Sequence, residues 1–316
     1  MRAFEAAIRP RAGAGTNRDV NTDSISSPGE ARPTAEGAGR ELDRQIERRI
    51  SAGRLDLPML PQVASEVIAG GLDDSTDIQA LAGLLNRDQA LAGHVLRVAN
   101  SPIYAGGARI QTIQQALVRI GFSQLREIVV AVALRTRVFN QAGQQELLSA
   151  LWTHSVVAAA YAREVARALR ANVESAFLCG LLHDVGKPVV LGVALDLAKD
   201  AGVKLGRARL EETLVAYHTL AGQRLAAHWC LPDATAEAIA KHHDFVAATQ
   251  HAQTVQITCL ANVLAHWALD TDEPATDDPE VQGHPVCAAL NLYPEDVRAL
   301  MEKRAAVLKV MEALGS

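Results

Sequence analysis

From about residue 41 onward, apolar residues return every three or four positions, and no segment alternates apolar and polar residues over the length of a strand. Such a chain can bury a continuous face only by folding into helices. The helix ends are legible too. LPMLPQVASEVIAGG has prolines at its start and a Gly-Gly stop. In DDSTDIQALAGLLNRD, Ser75 or Thr76 is placed to cap a helix with Ile78, Leu81, Leu84 and Leu85 on one face. DQALAGHVLRVANS carries Leu91, Val95 and Val98 on one face. In TIQQALVRIGF, Thr112 caps, Ile113, Ala116, Leu117 and Ile120 form the stripe, and Gly121 ends it. Further helices are predicted over 123–138, 146–170, 172–184, 207–229 and 254–269, with an amphipathic helix closing the chain.

The expected fold is all-α, a helical bundle in two lobes that meet near residues 138–147. Residues 1–40, rich in Gly, Ala, Ser, Thr, Pro and Arg, read as a disordered tail. Residues 41–145 form the first lobe and 146–269 the second. Residues 270–316 form an acidic loop and a final helix. No repeat of fixed period is present.

Composition narrows the function. With 49% hydrophobic and 21% charged residues among 316, the chain has ample material for a core. A net charge of −5 argues against general attraction to nucleic acid or to anionic membranes. Cys179, Cys230, Cys259 and Cys287 make no C-x-x-C pair and fall in apolar helical stretches, so buried free thiols and a reducing cytoplasm are expected. The run IVVAVAL is closed by Arg135 and Arg137, well short of the ~18 residues that span a bilayer. The N-terminus has no apolar core of a secretory signal.

The chemistry lies with histidines. His183 and Asp184 end the apolar run of LLHDVGKPVV. About 100° apart on a helix, they can both reach one cation where Gly186 lets the chain turn away. Imidazole with carboxylate suits Mn, Fe, Zn or Ni, and Mg if more oxygen ligands join. Lys187 is placed to neutralise a phosphate oxygen. His154, His218, His242 and His243 also lie in or at the ends of predicted helices, and a bundle can aim such side chains into one cavity. His94, His228, His251, His266 and His284 fit no ligand spacing and read as structural.

LWTHS, LLHDVGK and the later LANVLA segment together resemble the HD superfamily of metal-dependent phosphohydrolases. LPMLPQVASEVI followed by LLNRDQALAGHVLRVANSPIY narrows this to the HDOD family, the HD-related output domain of bacterial signalling proteins. The resemblance covers residues ~50 to ~265 in order. It implies an HD-like second lobe in which His154, His183 and Asp184 hold a metal, with His218, His242 and His243 at positions that hold a second one in related enzymes. It places Asn262 where the superfamily has a distal aspartate. An amide is a neutral, weaker ligand, so metal affinity should fall.

Three functions follow for comparison. The leading one is non-enzymatic: a stand-alone regulatory protein acting through contacts with a signalling protein or a nucleotide-type small ligand. The alternative is a divalent-metal phosphohydrolase in which Asp184 and Lys187 take part, although the Gly-Tyr-Pro signature of cyclic-dinucleotide phosphodiesterases is missing after His243. The third is nucleic-acid binding through Arg119, Arg126, Arg135 and Arg137, which the acidic balance disfavours. Partner identity and oligomeric state are left open by the sequence.

Overall fold

Thr112 shows how closely local signals are obeyed. The Gln115 amide N–H donates to Thr112 Oγ1 at 3.1 Å and the Thr112 amide N–H donates to Gln115 Oε1 at 3.2 Å, a reciprocal cap that opens a helix over Ile113–Ile120. Gly121 ends it with φ of 83°, a conformation open to glycine without strain, and the next helix starts at once.

In the computed structural model, which describes residues 35–60, 62–68, 78–104, 106–140, 144–271 and 274–315, every α or β element is a helix. The all-α expectation therefore holds among the described residues. A first group comprises α2 (Gln62–Ile68), α3 (Ile78–Arg87), α4 (Gln89–Ala99), α5 (Ile113–Ile120) and α6 (Phe122–Arg137). A second comprises α7 (Gln145–Ala168), α8 (Val173–Leu182), α9 (Gly186–Asp200), α10 (Arg207–His228), α11 (Asp233–Lys241) and α12 (Ala252–Asp270). Four shorter helices follow, α13 (Pro279–Gln282), α14 (Pro285–Ala289), α15 (Pro294–Met301) and α16 (Arg304–Gly315). The last folds back on α6 and α7, where Leu314 O accepts hydrogen bonds from Trp152 Nε1 at 3.2 Å and Arg135 Nη1 at 3.0 Å.

The first helix, α1 (Ala35–Ser51), begins inside the stretch expected to be tail; most of that tail, and the Ser75 and Thr76 caps, lie outside the described residues. A boundary at 41 also assigns α1 to the first lobe, but it packs on α9 and α10 of the second. Ile46 and Ile50 are fully buried, Asp43 pairs with Arg209, and Arg224 Nη2 donates to Ser51 O at 2.9 Å. An amphipathic stripe shows that a helix needs a partner, not which one.

Two composition-based readings change. Val173–Asp200 forms a nearly continuous helical span with an 18-residue window whose mean hydropathy is 1.5, so it is long and apolar enough to cross a membrane; 83% of that window is buried inside the protein, where the span makes a core hairpin. Cys230 is exposed rather than buried, because it takes a left-handed conformation (φ 51°) just past the end of α10 and its side chain points outward. The other three thiols are buried.

Candidate metal centre

His183 and Asp184 do not lie within a helix. Residues 183–185 form the tight turn between α8 and α9, and α9 begins at Gly186 with Pro188 in its first turn, where proline has no hydrogen bond to lose. Gly186 is therefore not where the chain turns away. It is where α9 meets α10: a Cβ on Gly186 would lie 1.9 Å from His218 O and 2.6 Å from Gly222 N. That backbone-to-backbone seat brings His218 up to Asp184.

The second lobe aims its other donors at the same place. His154 comes from α7, His218 from α10, His242 and His243 from just past the end of α11, and Asn262 from α12. Asp184 stands between two groups. Its Oδ2 lies 3.2 Å from His183 Nε2 and 3.7 Å from His154 Nε2. Its Oδ1 lies 3.4 Å from His218 Nε2 and 3.7 Å from His242 Nε2. His243 sits at the rim, exposed, with its Nε2 3.1 Å from His218 Nε2. Donor atoms of His154, His183 and Asp184 all fall within 4.8 Å of one another, as do those of Asp184, His218, His242 and His243. All the sequence-selected residues thus gather in one cluster around Asp184.

Ring orientation is set by the backbone. His183 Nδ1 is 2.7 Å from Gly180 O, His218 Nδ1 is 2.9 Å from Val215 O, and His242 Nδ1 is 3.1 Å from Ile239 O. A neutral imidazole that donates from Nδ1 presents a bare lone pair at Nε2. Two such lone pairs, on His218 and His242, face the Asp184 carboxylate, whose buried Oδ1 accepts no hydrogen bond. A buried acceptor without a donor, ringed by imidazole lone pairs, fits a cation better than it fits an empty apolar core.

Lys187 and Asn262 modify that picture. The Lys187 ammonium, buried in the first turn of α9, pairs with Asp184 Oδ2 instead of waiting in solvent for a phosphate. Asn262 Oδ1 lies 2.9 Å from His154 Nε2 and accepts its proton, which commits that nitrogen as a donor. Burial works against ionisation of Asp184, but His183 and Lys187 outweigh it and hold the carboxyl well below its usual range.

Burial also pushes the enclosed imidazoles down: His154 and His242 well below the ordinary value of 6.5 and His218 to about 3. His266, read as structural, belongs here as well. It lies one helical turn beyond Asn262 on α12, its ring centroid is 4.4 Å from that of His154, and burial lowers it to about 4. The i, i+4 spacing from Asn262 was the available signal.

Because these imidazoles fold neutral, the stability they contribute is complete above the unfolded value near 6.5 and declines as pH falls toward the folded values. Chelator-treated protein should lose about 2 kcal/mol between pH 6.5 and pH 5 through His218 alone. Urea unfolding at the two pH values measures this, and equal midpoints would show that His218 is not held neutral.

The arginines proposed as one basic patch are dispersed. Arg126 bonds to Glu174 and to Val67 O, Arg135 bonds to Leu314 O, Arg137 lines a hollow with Arg49, and Arg119 lines another beside Arg97.

An all-α two-lobed chain whose second lobe gathers a His-Asp pair and further histidines into one largely buried cluster defines an HD-type protein. The model of the HDOD domain matches residues 57–245, more than half of the sequence, and the chain belongs to the HDOD family. Two solved structures are similar in fold. A Shewanella amazonensis SB2B protein described as a candidate phosphohydrolase is 23% identical, with a TM-score of 0.63, over 86% of this chain and 97% of that one. A Marinobacter aquaeolei VT8 protein described as a candidate signal-transduction protein is 19% identical, with a TM-score of 0.59, over 91% of this chain and 68% of that one. An uncharacterized Treponema pallidum (strain Nichols) protein is 23% identical over 237 residues, 71% of this chain; the match spans 45% of that relative's length.

Proposed function

We propose that this protein is a regulatory component of signal transduction whose HD-type cavity holds a divalent metal as a structural or ligand-sensing element, without turnover. The observation that carries the reading is charge. The cavity has one carboxylate, Asp184, already paired with Lys187, and an amide, Asn262, engaged with His154. Neutral imidazoles suit Zn, Ni, Fe or Mn, but two dications held together need more negative charge than this set supplies. The signal-transduction description of the Marinobacter fold neighbour agrees with that reading. The output would pass to another protein or to a small ligand.

The second reading, a metal-dependent phosphohydrolase, is favoured by the position of Asp184 between the two donor groups. A metal bound there would polarise a phosphoryl oxygen and acidify a bound water.

Elemental analysis of the purified protein should find no more than about one metal per chain. Generic phosphoesters and cyclic dinucleotides supplied with Mn or Mg should remain intact. Asn262→Asp should tighten metal binding by roughly tenfold or more, since a carboxylate restores negative charge beside the donors. Hydrolysis that disappears on Asp184→Ala would overturn the regulatory reading in favour of the second.

A further inference from the structure

The first lobe carries a hollow remote in sequence from the histidines around Asp184. It has a volume of about 910 Å³ and is lined by Arg97, Arg109 and Arg119, with Leu96 and Ile110 as apolar wall and no acidic side chain among the described residues that line it. None of the three arginines makes an ion pair or a side-chain hydrogen bond with a described residue, although elsewhere the chain pairs arginines freely, as in Arg163 with Glu127 and Arg207 with Glu211. In a protein of net charge −5, three unneutralised guanidiniums in one concavity are a local reversal of sign.

The arrangement is held in place. Asn100, the residue after α4, clamps the returning loop: its Nδ2 donates to Leu96 O and to Ile110 O, each at 2.8 Å, and its Oδ1 accepts from the Ile110 amide at 2.8 Å. This ties Ile110 back onto α4 and sets Arg109 facing the hollow shared with Arg97. The reciprocal cap at Thr112 then fixes α5, whose last turn supplies Arg119. A last-turn arginine on α4 and on α5 also complements each helix dipole. That effect accounts neither for Arg109, which is on the loop, nor for the convergence of all three.

We infer that this hollow is a binding site for a phosphate-bearing small ligand of nucleotide size, working without a divalent metal. The guanidinium fork matches a pair of phosphate oxygens, and three forks suit a di- or triphosphate better than a single phosphate. The volume falls in the range of small-ligand sites, and Leu96 with Ile110 offers the apolar surface that a base or sugar would cover. The site is separate from the metal cavity and does not rest on it.

The test is calorimetric titration of the full chain, in chelator, with inorganic pyrophosphate, ATP, GTP, adenosine and a short DNA duplex. Pyrophosphate and at least one nucleoside triphosphate should bind, and adenosine should not. Arg97→Ala with Arg119→Ala should weaken binding by roughly tenfold or more. Both arginines lie outside the core, so the variant should fold; Arg97→Lys, which keeps charge but not the fork, should give a smaller loss. The inference is overturned if no phosphate probe binds, if the double variant binds as tightly as the parent, or if the duplex binds more tightly than every nucleotide and loses that binding in the double variant. Binding of triphosphates only when divalent metal is restored would assign them to the histidine cavity and equally overturn it.

Discussion

Gly186→Ala should destabilise the protein by more than about 4 kcal/mol. The added Cβ would lie 1.9 Å from His218 O and 2.6 Å from Gly222 N, and both are backbone atoms of α10 that no rotamer change can move aside. Relief requires α9 and α10 to separate, which opens the core around Val190, Leu191 and Leu225, all fully buried. The same separation withdraws His218 from Asp184, so metal binding should fall together with stability. Gly222→Ala is the instructive contrast. Its Cβ meets Ile239 Cγ2 at 2.5 Å, the end of a side chain that can shift, so the cost should be about 1–3 kcal/mol. Denaturant unfolding of the two variants measures the difference. A Gly186→Ala protein within about 1 kcal/mol of the parent would mean that α9 and α10 are not seated backbone to backbone.

Asp184→Ala should cost about 3–5 kcal/mol in the metal-free protein, because the Lys187 ammonium stays buried after losing the carboxylate that neutralises it. The size of the effect therefore reflects a stranded charge more than the worth of the ion pair. Replacing both partners, Asp184→Ala with Lys187→Met, should recover about 2 kcal/mol of that loss. Neither variant should retain metal, since Asp184 is the carboxylate common to both donor groups. Equal unfolding midpoints for the single and double variants would show that Lys187 is not held by Asp184, and retained metal would show that the imidazoles suffice.

Much of the fold was legible because its signals are local. Thr112, Gln115 and Gly121 act within one or two turns, and the chain obeys them. The donors of the cavity were legible as residue types: His154, His183, Asp184, His218, His242 and His243 all reach it. His266 escaped because its one sequence signal, the i, i+4 spacing from Asn262, becomes meaningful only once its neighbour across the bundle is known. That neighbour is His154, on α7. The basic patch failed for the opposite reason. Four arginines close in sequence looked like one surface, whereas α6 carries Arg126 to Glu174 and Val67, Arg135 to Leu314 and Arg137 to the hollow with Arg49, and α5 turns Arg119 toward Arg97.

By itself, then, the sequence determined that the chain is helical, where capped helices such as Ile113–Ile120 begin and end, and which side chains carry metal-binding chemistry. These follow from a 3.6-residue period and from capping bonds that span only a few residues. Tertiary structure alone decided that α1 lies against α9 and α10, that Lys187 turns inward to Asp184, and that Arg97, Arg109 and Arg119 share a hollow. A periodic pattern states that a face must be covered but is nearly indifferent to what covers it. The choice is made by close packing among distant segments, such as Gly186 against the backbone of His218, where a single methyl group decides whether two helices can meet.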